Sequence, residues 1–238
     1  MSRLDATLVT GGTGALGRHV AARFLADGHR VAVTYRDRAE WDAMAAAHSA
    51  DVAARRLLGI DADVTDHDAM GRAVGEAVEA FGGLRALVHV AGGFRGGEPV
   101  ETVDARTVRF MIDLNLVSAF WAAKHASAPL RASGAGRFLF ISSRGAIETA
   151  PGAAAYAAAK AGLHALVGTL AKETKAAGGT ANAVLPSVID TPANRAAMPG
   201  ADHDAWVRPE QIASLLAYLA SDAAAAVSGA LIPIYGRA

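Results

Sequence analysis

The stretch "ATLVTGGTGALGRHVAARFLADG" (6–28) decides the fold. Its first five residues are apolar or β-branched and read as a buried strand, and residues 16–28 read as a helix closed by glycine. Between them Gly12, Gly14 and Gly17 satisfy G-x-G-x-x-G at a strand-to-helix junction. Such glycines permit a tight turn, a close approach of backbone to a pyrophosphate, and close packing of helix on strand. The helix start then offers N–H groups to the anion. Glycines can also serve chain reversal alone, and the surroundings of the motif favour the dinucleotide reading.

Working outward, apolar runs alternate with alanine-rich helical stretches. Strands are expected at 30–35, 55–64, 85–92, 136–143, 180–187 and 230–235, and helices at 39–50, 66–83, 105–133, 154–178 and 209–221. The helix at 105–133 is expected to break near Pro129. Strands separated by helical crossovers pair in parallel, and runs without strict alternation suit a sheet covered on both faces. The expected fold is α/β, a doubly wound parallel sheet in a single domain over 1–238. The one long stretch without periodicity, 188–208, is read as a lid containing Met198 and Trp206.

Of the 238 residues, 52 % are hydrophobic and 19 % charged, enough for a substantial core. The formal net charge is zero, so no broad field attracts nucleic acid or an anionic membrane. There is no cysteine, which excludes disulfides and thiolate catalysis and leaves any zinc site to His and carboxylates. The opening "MSRLDATLVTGG" has too short an apolar run for a leader, and a soluble cytoplasmic protein is expected.

The second strand ends in "VTYRDR". An acid there would bond the ribose hydroxyls of NAD and repel the extra phosphate of NADP. Tyr35 and Arg36 stand there instead, and the planar fork of Arg36 suits a 2′-phosphate, so NADP(H) is favoured over NAD(H). The alternative is an exposed arginine beside Asp37 with no ligand.

"AAYAAAKAG" (154–162) places Tyr156 and Lys160 one helical turn apart on one face. Thirteen residues earlier, at the end of the fifth strand, stands Ser143. The carboxyl ends of the strands in an open parallel sheet are where ligands sit. A nearby ammonium is expected to lower the phenol's pKa and let Tyr156 act as acid or base, with Ser143 bonding a substrate oxygen. No metal is needed. Phe94, Arg95, Arg144 and Glu148 follow strands at the same edge and are candidate substrate contacts or plain loop residues. His89 is read as a core or supporting residue rather than a ligand.

With "TGGTGALG" (10–17), "DV" at 63–64, "VAG" at 90–92, Asn115 in "LNL", Ser143, Tyr156-x-x-x-Lys160 and "NAVLPSVIDTP" (182–192), the chain resembles the short-chain dehydrogenase/reductase family over essentially its whole length. The resemblance implies a Rossmann-like sheet and hydride transfer between a nicotinamide and a carbonyl or alcohol carbon. It makes Tyr156 the proton donor or acceptor, Ser143 the support of the substrate oxygen, and Lys160 the residue that binds the ribose and tunes Tyr156. Asn115 would hold a proton-relay water. The cofactor set it implies is Gly11, Gly12, Thr13, Gly14, Leu16 and Gly17 at the phosphates and Tyr35 and Arg36 at the adenosine ribose. Asp63 and Val64 would flank the adenine, with Ala91 and Gly92 beyond it, and Pro186, Ile189 and Thr191 would lie toward the carboxamide. It also implies pairing of helices 105–127 and 154–176 between subunits, hence a homotetramer, with a dimer as the alternative.

The chain departs from the family's pattern at Ala15, which replaces a loop glycine, at His89 and Val90, which replace two asparagines, at Pro186-Ser187, and in the closing "YGRA". "GTGALG", "VAGGFRGG" and 184–206 look like dihydropteridine reductases within the family. Those enzymes tend to use NADH through an acid at the second strand and to lack the serine, whereas Tyr35, Arg36 and Ser143 stand here. Besides a carbonyl reductase, the readings kept are therefore a pterin reductase and a nicotinamide-binding sensor without turnover.

Overall fold

The strands and helices alternate as the pattern of apolar runs requires. In the computed structural model, which describes residues 5–237, the elements run β1 (Ala6–Thr10), α1 (Gly17–Ala26), β2 (Arg30–Tyr35), α2 (Arg38–Ala47), α3 (Ser49–Ala53), β3 (Leu57–Asp61) and α4 (His67–Phe81). Then follow β4 (Ala86–His89), α5 (Ala105–Ile112), a π-helical turn (Asp113–Val117), α6 (Ser118–Ala132), β5 (Arg137–Ile141) and α7 (Ala154–Thr174). The chain closes with β6 (Thr180–Pro186), α8 (Pro192–Ala197), α9 (Pro209–Ala220) and β7 (Leu231–Ile234). Residues 1–4, part of the stretch read above for a leader, and residue 238, the last of "YGRA", lie outside the described residues.

The seven strands form one parallel sheet in the order β3-β2-β1-β4-β5-β6-β7. The order reverses between β1 and β4, which opens a crevice beyond their carboxyl ends. Along each central strand successive side chains feed opposite layers. Phe138 and Phe140 of β5 pack with Leu87, Met70 and Leu163 on one side, while Leu139 joins Val9, Val33, Phe24 and Leu216 on the other. Each such buried side chain contributes about 1.5–3 kcal/mol. The two-sided burial explains why these strands are apolar throughout.

One expectation needs correction. The helix at 105–133 does not break at Pro129, which lies inside the last turn of α6 and gives up only one intrahelical bond there. The irregularity comes earlier, at the π-helical turn carrying Asn115. The 188–208 segment, expected to act as a lid, contains regular structure of its own. Ile189 bridges Val207, α8 stands between them, and Trp206 and Val207 are buried.

At the free edge, β7 turns residues 230 and 234 toward β6, through Ala183 N to Ala230 O at 2.9 Å and Ser187 N to Ile234 O at 3.2 Å. Pro233, at the odd register, faces away from the sheet.

Candidate active site

One cavity of about 640 Å³ lies along the carboxyl ends of the strands, from the phosphate loop and the end of β2 to Ser143 and Tyr156. Its first wall is the loop from Gly11 to Gly17. Gly11 adopts φ +63°, a left-handed conformation that favours glycine, and a Cβ on it would lie 3.1 Å from the Ala91 backbone. A Cβ on Gly17 would lie 2.1 Å from the Gly11 carbonyl oxygen, so no side chain fits where α1 meets the loop. Thr34 anchors the turn, its hydroxyl accepting from Gly11 N at 3.0 Å and its carbonyl from Gly12 N at 3.1 Å. Leu16 at the N-cap of α1 supplies no side-chain acceptor, leaving that end suited to an anion. Gly11, Thr13, Gly14, Leu16 and Gly17 border the cavity; Gly12 is turned beneath it against Val33.

At the far end Tyr35 stacks on Trp41, ring centres 5.7 Å apart, and Arg36 stands at the mouth with its guanidinium 3.9 Å from the Asp63 carboxylate. Burial pushes the Asp63 carboxyl up, but hydrogen bonds from the Thr65 amide and hydroxyl, with Arg36, outweigh it and hold it below the usual range. Asp63 therefore fixes its own turn and lies off the cavity, which its neighbours Ala62 and Val64 border. Glu40, in the first turn of α2, also borders the cavity and accepts from the Thr13 hydroxyl at 2.8 Å. Sequence reasoning missed it, because an acid in a first turn looks like an ordinary helix start.

The floor is formed by Ala91, Gly92 and Gly93. Asn115 sits behind it. Its Nδ2 donates to Gly93 O and Met111 O at 3.0 and 3.1 Å, and its Oδ1 accepts from Gly93 N at 3.1 Å. The buried side chain thus clamps the floor without bordering the cavity.

At the reacting end α7 presents Tyr156 and Lys160 one turn apart. The alanines around them have a packing reason: Ala157 and Ala159 are buried, and a Cβ on Gly162 would lie 2.8 Å from Leu116 of the π-helical turn. Only small residues let α7 come this near. Lys160 is 4 % exposed, and its Nζ donates to the Ile141 carbonyl at 2.8 Å. Burial brings its pKa down to about 8. Burial pushes the Tyr156 phenol up, and a hydrogen bond with Ser143 opposes that rise. The expected lowering of the phenol by Lys160 is not what the geometry produces. The ammonium is 5.9 Å from the ring centre and is engaged by a backbone oxygen.

Pro186, Ile189 and Thr191 border the cavity beside Tyr156, joined by Asn194 and Met198 from the 188–208 segment; Trp206 is packed below, beside His203. Of the four candidate substrate contacts only Phe94 reaches the cavity, its exposed ring edge-on to Tyr156 at 5.2 Å. Arg95 lies over Phe110 at 4.5 Å, and Arg144 lies over Tyr235 with Glu148 3.8 Å away. These three do not border the cavity; Arg95 is engaged by Phe110 of α5, and Arg144 by Glu148 and by Tyr235 just beyond β7.

Residues 5–201 match the model of the short chain dehydrogenase family. The chain is 34 % identical over 237 residues to the 3-oxoacyl-[acyl-carrier-protein] reductase MabA of Mycobacterium tuberculosis, covering 96 % of this chain and 90 % of that one. It is 35 % identical over 240 residues to the cis-4-hydroxycyclohexanecarboxylate dehydrogenase of Sinomonas cyclohexanicum, covering 96 % and 94 %. Among solved structures, a short-chain dehydrogenase/reductase from Serratia marcescens superposes with a TM-score of 0.90 at 31 % identity, covering 99 % of each chain.

Proposed function

The chain belongs to the short-chain dehydrogenase/reductase family and is an NAD(P)-dependent oxidoreductase, and on that premise we propose that it reduces the carbonyl group of a small or medium organic compound, with NADPH as the preferred donor. The observation that carries this reading is the position of Tyr156. The phenol is hydrogen-bonded to Ser143 at one end of a cavity whose other end is a glycine loop opening an uncapped helix.

The residues present fit a dinucleotide. The start of α1, with Gly11, Thr13, Gly14 and Leu16, would hold the pyrophosphate, and Ala62 and Val64 the adenine. Tyr156 and Lys160 would hold the nicotinamide ribose, and Pro186, Ile189 and Thr191 the carboxamide. When bound, the nicotinamide supplies the hydride. The Ser143 hydroxyl donates to the substrate oxygen and fixes the carbonyl against the Tyr156 phenol. Because burial keeps the phenol protonated at neutral pH, Tyr156 is poised to give its proton to that oxygen, the direction reduction requires. The Lys160 ammonium, held one turn away by the Ile141 carbonyl, would bind the ribose rather than tune the phenol. Asn115 acts through the floor it clamps.

Arg36 supports the NADPH preference, since its exposed guanidinium has room to turn onto a 2′-phosphate. A homotetramer, or failing that a dimer, is supported by the exposed Phe110 and Phe120 on α5 and α6, and sedimentation showing only monomer would reject both. Among the described residues no helix is long and apolar enough to cross a membrane.

The test is consumption of NADPH and NADH with ketones, 3-oxoacyl thioesters and quinonoid dihydropterin, comparing wild type with Tyr156→Phe. Turnover of a carbonyl substrate by wild type alone, with NADPH preferred, supports the reading. A variant as active as wild type overturns the role of Tyr156, and turnover of the dihydropterin alone moves the enzyme to pterin reduction.

A further inference from the structure

His89, at the end of β4, is 1 % exposed and stands between two hydroxyls. Its Nδ1 is 2.9 Å from Thr10 Oγ1, and its Nε2 is 3.1 Å from Ser118 Oγ. The direction of every proton can be worked out from the ends. The Ser118 hydroxyl donates its one hydrogen to the Leu114 carbonyl at 2.6 Å, so it can only accept from His89. His89 therefore carries its proton on Nε2, and Nδ1 accepts from the Thr10 hydroxyl. The Thr10 oxygen in turn takes the Ala91 amide at 3.4 Å. Every donor and acceptor in this chain is used, and only the neutral ring satisfies it. Burial agrees, lowering the imidazole pKa to about 3.

The two ends of the chain matter. Thr10 is the last residue before the phosphate loop, and Ala91 belongs to the cavity floor. Leu114 belongs to the π-helical turn, next to Asn115, which clamps Gly93 from the other side. A Cβ on Gly92 would lie 3.0 Å from Asn115 Oδ1 and 3.2 Å from Lys160 Nζ, so the floor, the turn and the ammonium meet at one point. A π-helical turn replaces i to i+4 bonding with i to i+5, as between Asp113 O and Ser118 N, and here Leu114 O also takes the Ser118 hydroxyl.

We propose that His89 is a positioning residue: through Ser118 it fixes the π-helical turn at Leu114, and so sets how Asn115 and the Gly92-Gly93 floor pack against the Lys160 ammonium that Ile141 holds beside Tyr156. The proposal rests on Tyr156 and Lys160 being the reacting pair. His89 touches neither and moves no proton.

The experiment compares Ser118→Ala, His89→Asn and His89→Gln by steady-state kinetics on a carbonyl substrate, NADPH binding by fluorescence, and thermal denaturation, with Tyr156→Phe as control. Asparagine reaches only as far as Nδ1 and keeps the Thr10 contact; glutamine carries an N–H as far as Nε2 and keeps the Ser118 contact. Ser118→Ala and His89→Asn are expected to lose about ten- to a hundredfold in kcat with NADPH affinity unchanged, and His89→Gln to restore most of it. The double variant His89→Asn/Ser118→Ala should be no worse than the poorer single one, because both cut the same chain. Wild-type kcat in Ser118→Ala overturns the proposal, and that variant decides alone if His89→Asn does not fold. Losses in kcat that merely track the thermal midpoint and NADPH affinity across all variants also overturn it. An active Tyr156→Phe removes the reacting pair and this proposal with it. An inactive Tyr156→Phe beside a fully active Ser118→Ala removes only the role of His89.

Discussion

The Lys160 ammonium donates to the carbonyl oxygen of Ile141, 2.8 Å away across the end of β5, and not to the phenol one helical turn from it. A charge with little exposure and a backbone oxygen as its recorded hydrogen-bond partner is costly to bury, and the lowered pKa expresses that cost. The fold holds an unfavourable group where chemistry needs it.

Lys160→Met should therefore abolish turnover and raise stability at neutral pH. Below about pH 8 both folded and unfolded lysine are protonated, and the penalty is fully present. Between about 8 and the unfolded value of 10.5 the unfolded chain binds a proton that the native one does not, so wild-type stability gains with pH. Denaturant unfolding of both proteins at pH 7 and pH 10 checks this: the variant's advantage should shrink as pH rises. A variant less stable at pH 7 would show that the Ile141 bond outweighs the cost of burial.

Tyr156→Phe should lose about a hundred- to ten-thousandfold in kcat, the range for removing a positioned acid. The ring and its edge-on contact with Phe94 survive the change, so the thermal midpoint should stay near wild type, and NADPH affinity should fall by no more than the loss of one ribose contact, far less than kcat. Stopped-flow reduction beside a cofactor titration separates the two.

Arg36→Ala should weaken NADPH about tenfold while leaving NADH untouched, the expected loss of one charge-assisted contact. Glu40→Gln should act the other way, since the carboxylate beside Thr13 repels a second phosphate at that end of the cavity. The ratio of the two dissociation constants, measured for each variant, is the readout. A ratio unmoved by Arg36→Ala would assign the preference elsewhere.

The 188–208 segment should be cut by protease near its exposed tip at 198–202, and NADPH should protect it. Its base is already tied by the Ile189–Val207 bridge and the Asp190–Arg195 ion pair, so cleavage should fall between those anchors. Equal cutting with and without NADPH would mean that the segment does not close on the cofactor.

The strands could be read from sequence because burial on both faces makes them apolar throughout. The phosphate loop and the Tyr156–Lys160 pair could be read because each depends on spacing within one short stretch. The Ile141 contact could not be foreseen, since any residue offers a carbonyl. Nor could the π-helical turn, because "DLNLV" carries no mark that tells i+5 from i+4 bonding. Arg95, Arg144 and Glu148 leave the strands at the right edge, but nothing in a loop sequence fixes which way a side chain turns. Thr34 and Glu40 went unnoticed because they act on the phosphate loop from β2 and α2, across more than twenty residues.

The outward-facing Pro233 bears on how copies of this chain can meet. A strand approaching the open side of β7 would find no N–H at that register, and the pyrrolidine ring would stand in its path. Backbone zippering from one molecule to the next is thereby interrupted at this register of the β7 edge. Association along this side has to do without that bond. One imino acid thus works against the growth of the sheet into a fibre.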